Sequence, residues 1–241
     1  MAPIATDPSE AFSHLSVSED LVPSRTEQQS QIVTLNFKGL LDPPLKLQTD
    51  VSECGGQLWP AGMVLAEYLL RNKMDELRGK TIVELGAGSG LTGLALSLGL
   101  SRTTNISNTI HLTDGHPPLL PLLRQNIALN TPHIRPTSLI LPSLLSWGAD
   151  LPPGIPKEPD IILAADCVYF EPAFPLLLNT MQELIGSETV CYFCFKKRRR
   201  ADKDMVRLLE KEFDVEEIRG SWEKEVGVKL YRVRMEEDDS E

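Results

Sequence analysis

Apolar and polar residues alternate twice near the start of the chain. Ile32, Thr34 and Asn36 oppose Val33, Leu35 and Phe37, and Leu45-Lys46-Leu47-Gln48-Thr49 repeats the same period. A period of two sends successive side chains to opposite faces of a strand. With Gly39 to Pro44 between them, the two runs predict a β-hairpin with an irregular turn. A helix is expected from about Ala61 to Asn72, where Leu65, Tyr68 and Leu69 share one face. From Thr81 onward the pattern switches regularly between strand and helix. Strands are expected near 81–85, 109–113, 137–141, 160–165 and 188–195, and helices near 90–99, 117–130, 172–185 and 201–211. Two last strands, 215–219 and 226–234, follow with no helix between them and predict an antiparallel hairpin that closes the sheet. Such βα alternation implies an α/β fold, a mostly parallel sheet covered by helices on both faces.

Composition narrows the classes. The chain has 241 residues, 41% hydrophobic and 24% charged, which suits one well-buried core. Residues 1–30 are polar and aperiodic and read as a disordered tail. The domain then spans 31–235, and 236–241 is an acidic tail. A formal net charge of −10 and a pI near 5.0 disfavour DNA, whose phosphates an acidic surface repels, and favour a basic partner. No apolar run reaches the roughly 18 uncharged residues of a membrane helix. The first twenty residues lack the basic and apolar regions of a secretory signal. Cys54, Cys167, Cys191 and Cys194 therefore read as reduced thiols in a cytoplasmic protein. Cys191 and Cys194 sit three apart in a strand-like run, on opposite faces, so they do not share a metal, and no metal site is expected.

Candidate chemistry starts at Thr81 to Gly90. A short β-run ends in Glu84 and Leu85, then meets glycines at 86, 88 and 90, then a helical run. Strand, glycine turn and helix make a nucleotide-binding arrangement, because glycines let backbone approach a ligand and the helix start offers free N–H groups. The spacing is G-x-G-x-G rather than the dinucleotide G-x-G-x-x-G, and the Glu84 carboxylate suits a cationic amino group better than a pyrophosphate. S-adenosylmethionine has that character.

In open parallel sheets ligands lie beyond the carboxyl ends of the strands. Asp114 ends the second strand of the βα series, placed to bind ribose hydroxyls or to cap the next helix. Trp147 follows the third, where an indole suits either adenine packing or a core. Asp166 follows the fourth, just after the small Ala165, with Tyr169 beside it as a channel residue. The fifth runs into Lys196-Lys197-Arg198-Arg199-Arg200, a solvated basic loop or a dock for an acidic patch.

These residues together resemble the seven-β-strand, Rossmann-like methyltransferases that use S-adenosylmethionine, and more narrowly the protein-lysine methyltransferases among them. The matching elements, in order, are Gly55-Gly56-Gln57-Leu58-Trp59-Pro60, Glu84 to Gly90, Thr113-Asp114, Trp147-Gly148 and Asp166-Cys167-Val168-Tyr169. The resemblance implies cofactor contacts from Trp59, Glu84, Gly86, Ala87, Gly88, Gly90, Asp114, Trp147 and Ala165, and a target-lysine site shaped by Asp166 and Tyr169. The basic run with Ala201-Asp202 looks most like fungal enzymes that modify translation elongation factor 1-alpha, which implies that protein as substrate and a monomeric enzyme. A small-molecule N-methyltransferase and a non-catalytic cofactor-binding module are the alternative readings. A nicotinamide-dependent oxidoreductase is disfavoured by the glycine spacing and by Glu84.

Overall fold

A computed structural model describes residues 31–50, 52–102, 106–199 and 202–236. The expected tail 1–30, Arg200, Ala201 and most of the acidic tail lie outside the described residues. The hairpin is β1 (Ile32–Leu35) and β2 (Leu45–Gln48), paired antiparallel with Leu35 opposite Leu45. The main sheet has seven strands: β3 (Thr81–Leu85), β4 (Thr109–Asp114), β5 (Leu139–Leu144), β6 (Ile161–Ala165), β7 (Val190–Lys196), β8 (Asp214–Ile218) and β9 (Val228–Arg234). Their order across the sheet is β5-β4-β3-β6-β7-β9-β8. β3 to β7 run parallel, and β9 is antiparallel to both β7 and β8. The direction of winding reverses at β3 and β6, so the loops after these two strands face one crevice.

The period of two in each strand sorts the core into two layers. Along β7, Tyr192 and Cys194 enter one cluster, while Cys191, Phe193 and Phe195 enter the other. The two cysteines thus lie on opposite faces, as their spacing predicts. The first layer is covered by α1 (Pro60–Asn72), α2 (Leu91–Ser101) and the hairpin, with Leu65, Leu69, Leu94 and Leu47 fully buried. α3 (Leu119–Asn130) contributes Leu123 to that layer. The second is covered by α4 (Phe174–Leu184) and α5 (Asp202–Leu209), with Leu177, Met181, Met205 and Leu209 fully buried.

Three details depart from the sequence pattern. β5 starts at Leu139, because a turn with Ser138 N–H donating to Arg135 O precedes it. A one-turn helix, α6 (Trp222–Val226), separates β8 from β9, and Gly227 ends it at φ +70°. Trp222 meets Tyr68 edge-on at 5.8 Å, which ties this turn to α1. Finally, the hairpin is held to α3 by side chains. Asn126 accepts from Gln48 N–H and donates to Gln48 O, and Asn130 does the same with Lys46. Two amides one helical turn apart thereby stand in for a neighbouring strand along β2.

Candidate functional site

All the strand-end residues singled out above converge on one edge of the sheet. The loop after β3 carries Gly86, Ala87, Gly88 and Gly90. Ala87 N–H donates to Thr113 O at 2.8 Å, which joins this loop to the end of β4, and Gly90 begins α2 as its N-cap. Gly88 has φ +55°, and a Cβ there would lie 2.4 Å from Gly55 O. Only glycine permits that approach, and it brings the Gly55-Gly56 segment onto the loop. The Asp114 carboxylate secures the arrangement, with Oδ2 accepting from Gly88 N–H at 2.9 Å and Oδ1 from His116 N–H at 2.9 Å. It does not cap α3, whose N-cap is Pro118. Burial raises the pKa of Asp114 above the usual carboxylate range, against the pull of these N–H groups.

Trp147 lies over this loop. A Cβ at Gly86 would meet both Trp147 Cζ2 and Cys167 Sγ at 3.2 Å. The cradle is therefore floored by glycine backbone and walled by an indole and a thiol. Cys167 Sγ donates to Leu85 O at 3.3 Å, and burial pushes its pKa far up, so the thiol is packing rather than nucleophile.

Glu84 takes a different position from its neighbours. Its carboxylate turns beneath the start of α2, where Oε2 accepts from Gly93 N–H at 2.9 Å, and the residue is 2% exposed. Desolvation drives its pKa up to about 7. It braces the first turn of α2, at the positive end of the helix.

The end of β6 is built differently. Asp166 adopts φ +58°, a left-handed conformation uncommon outside glycine, and its N–H donates to Cys194 O at 2.7 Å. Its side chain is 4% exposed. Arg198 grips it bidentately, Nη1 to Oδ1 at 2.7 Å and Nη2 to Oδ2 at 2.9 Å, while Lys196 N–H donates to Oδ1 at 3.1 Å. The hydrogen bonds to Asp166 raise the pKa of Arg198 further. The same guanidinium carbon lies 5.1 Å from the centre of the Trp59 ring, and Trp59 Nε1 donates to Cys54 O at 3.0 Å. Ala165 ends β6 half-buried, and Tyr169 stands at the rim, 58% exposed.

The basic loop is thus not free along its described length. Asp202, fully buried, accepts from the N–H groups of Arg198 at 2.6 Å and Arg199 at 2.8 Å. Arg198 and Asp202 were legible only as parts of the basic run and its flank, with no sign of their contacts with Asp166 and with the loop backbone. The one local hint was an acid, Asp202, two residues after a run of five cations. The structure brings together Gly86, Gly88, Asp114 and Trp147 on one side, and Trp59 with Asp166 on the other. Among the described residues no cluster of histidine, cysteine and carboxylate side chains is arranged to hold a metal.

Comparison with known proteins identifies the family. Residues 41–212 match a family described as lysine methyltransferase. The chain is 37% identical over 220 residues to protein-lysine N-methyltransferase EFM6 of Saccharomyces cerevisiae, spanning 83% of this chain and 87% of that one. It is 33% identical over 183 residues to protein N-lysine methyltransferase METTL21A of Mus musculus, spanning 76% and 79%. It is 34% identical over 183 residues to EEF1A lysine methyltransferase 3 of Mus musculus, spanning 75% and 72%. Among solved structures, a T. thermophilus 16S rRNA N2 G1207 methyltransferase in complex with AdoMet and guanosine superposes with a TM-score of 0.60. That match covers 86% of this chain and 50% of the other at 15% identity, a likeness of fold.

Proposed function

The chain belongs to the lysine methyltransferase family as an S-adenosylmethionine-dependent protein-lysine N-methyltransferase, and from that premise we propose that its substrate is translation elongation factor 1-alpha and that Asp166 receives the acceptor lysine. The substrate reading is supported by the name of one relative, EEF1A lysine methyltransferase 3, and by the likeness of the basic run to fungal enzymes of that kind. The observation that carries the assignment of the acceptor site is a single juxtaposition. A buried carboxylate, Asp166, and an indole, Trp59, face one guanidinium on the same sheet edge as the glycine loop. A carboxylate and an aromatic face are the two groups that best hold an alkylammonium.

The residues fit the cofactor. The carboxylate that meets the glycine loop is that of Asp114, through Gly88 N–H, and an acceptor there suits ribose hydroxyls and not a pyrophosphate. The absence of a side chain at Gly86 lets Trp147 pack directly on the glycine loop. S-adenosylmethionine, when bound, supplies a methyl group on a positively charged sulfur. In our assignment Asp114 accepts from the ribose hydroxyls and Trp147 flanks the adenine. Ala87 and Gly90 shape the loop, Ala165 keeps its end of the crevice shallow, and Glu84 acts through the backbone it braces. Trp59 is assigned here to the acceptor side of the boundary between the two halves.

A lysine amine, with an ordinary pKa near 10.4, arrives as an ammonium and attacks only when neutral. Asp166 orients it through Oδ1 and Oδ2 and favours the ammonium, desolvation beside Trp59 and Tyr169 disfavours it, and the proton passes to solvent at the rim before the neutral amine takes the methyl group. Alignment of donor and acceptor then supplies much of the acceleration. We place the enzyme in the cytoplasm as a monomer. Among the described residues no helix is long and apolar enough to cross a membrane.

The test is incubation with radiolabelled S-adenosylmethionine and either purified elongation factor 1-alpha or an extract lacking the endogenous enzyme. Label in elongation factor 1-alpha, lost with Asp166→Ala, is the expected result. Label confined to another protein would overturn the substrate assignment, and label only in small molecules would move the activity to metabolites.

A further inference from the structure

The acceptor side of the crevice already holds a cation. Asp166 oxygens accept from both terminal nitrogens of Arg198 and from Lys196 N–H, and only 4% of the Asp166 side chain meets solvent. A lysine amine that takes both oxygens of that carboxylate has to displace the guanidinium. The same guanidinium covers Trp59, 5.1 Å from its ring centre. Both groups that suit an alkylammonium are therefore occupied by one side chain of the protein itself. We propose that Arg198 is a self-ligand that occupies the acceptor-amine seat and exchanges with the incoming lysine, which makes it the residue that sets the threshold for acceptor binding. This rests on the assignment of Asp166 to the acceptor site.

The physical argument is one of charge continuity. An enclosed carboxylate left without a cation is strongly destabilising. Exchange of a guanidinium for an ammonium avoids that state during binding, because Asp166 and Trp59 keep a cation until the amine gives up its proton. Arg198 is suited to leave. Its side chain is 31% exposed, whereas its own backbone N–H remains anchored on Asp202 at 2.6 Å. The side chain swings on a fixed hinge while the loop stays in place. An uncharged or anionic side chain would not displace it, so the exchange selects cations. A bidentate planar pair also outcompetes a single ammonium in isolation. The lysine must therefore arrive with additional contacts from its own protein, and stray amines are refused.

The experiment uses n-butylammonium as the probe and the indole N–H resonance of Trp59 as the readout, so it needs no turnover and no identified substrate. Arg198→Gln is expected to bind the probe at least tenfold more tightly than wild type. Arg198→Lys, which keeps a cation on one hydrogen bond and guards against a folding defect in the first variant, is expected to fall between. The double variant Arg198→Gln with Asp166→Asn is expected to lose the gain. Equal binding by wild type and both single variants, or a gain that survives in the double variant, overturns the proposal. Methyl transfer to elongation factor 1-alpha is assayed in parallel. A lower KM in Arg198→Gln supports exchange, whereas a lower kcat with unchanged KM, partly restored in Arg198→Lys, would make Arg198 a positioning residue instead. Failure of wild type to label elongation factor 1-alpha, with the probe binding as expected, overturns the substrate assignment and leaves the exchange standing.

Discussion

Asp114 and Asp166 end two parallel strands of one sheet, and both are nearly closed off from solvent, at 9% and 8% exposure. Their partners differ in kind. Asp114 is held by the backbone N–H groups of Gly88 and His116. Asp166 is held by a full guanidinium as well as the N–H of Lys196. The first half of the crevice therefore holds its carboxylate with neutral N–H groups alone, and burial raises the pKa of Asp114 there. The second half carries charge that the protein balances for itself. A site with unbalanced charge binds a cation directly, while a balanced one binds by exchange.

The contrast is broken most sharply at Asp166. Asp166→Ala is expected to reduce turnover on the order of 1,000-fold, within the range for loss of a positioned catalytic group, while the cofactor dissociation constant stays within about twofold, because the two halves bind separately. Single-turnover kinetics beside calorimetric titration checks this. Wild-type turnover in the variant would reduce Asp166 to an anchor for the loop after β7.

Next in size is the titration of Glu84, which separates the halves by pH. Its carboxyl is raised from an ordinary 4.5 to about 7. Between those values the unfolded chain gives up the proton and the folded chain keeps it, so the stability it contributes is present below pH 4.5 and is lost as pH rises through 7. Two and a half pKa units correspond to about 3 kcal/mol. Glu84→Gln is expected to gain stability on wild type by about that amount between pH 5 and 8, read from urea unfolding at each pH. Parallel curves for the two proteins would mean that Glu84 ionises normally.

Asp114→Ala should weaken cofactor binding by about 10- to 100-fold, the loss of one or two charge-assisted hydrogen bonds, with little change in binding of an acceptor. An unchanged dissociation constant would remove Asp114 from the ribose. The smallest effect is expected at the boundary. Trp59→Phe keeps an aromatic face under Arg198 and loses the Nε1 bond to Cys54 O, for a stability change of about 1 kcal/mol. A change several times larger would show that the segment before α1 depends on that indole to close over the glycine loop.

Much of this molecule was legible in its sequence, and the parts that were not share a cause. Local periodicity determined the hairpin, the βα alternation, the two faces of β7 and the glycine turn, because each follows from side-chain direction over a few residues. The strand-end rule then placed Asp114, Trp147 and Asp166 on one edge, since every parallel strand ends on the same side of the sheet. Tertiary structure alone decided what those residues touch. Arg198 reaches Asp166 across 32 positions, Asn126 reaches Gln48 across 78, and Gly55 meets Gly88 only once the hairpin has docked on α3. Within its basic run Arg198 is indistinguishable from its neighbours. It becomes a partner for Asp166 because Asp202 pins its backbone and because a buried carboxylate, wherever the fold leaves one, draws in the cation that can reach it.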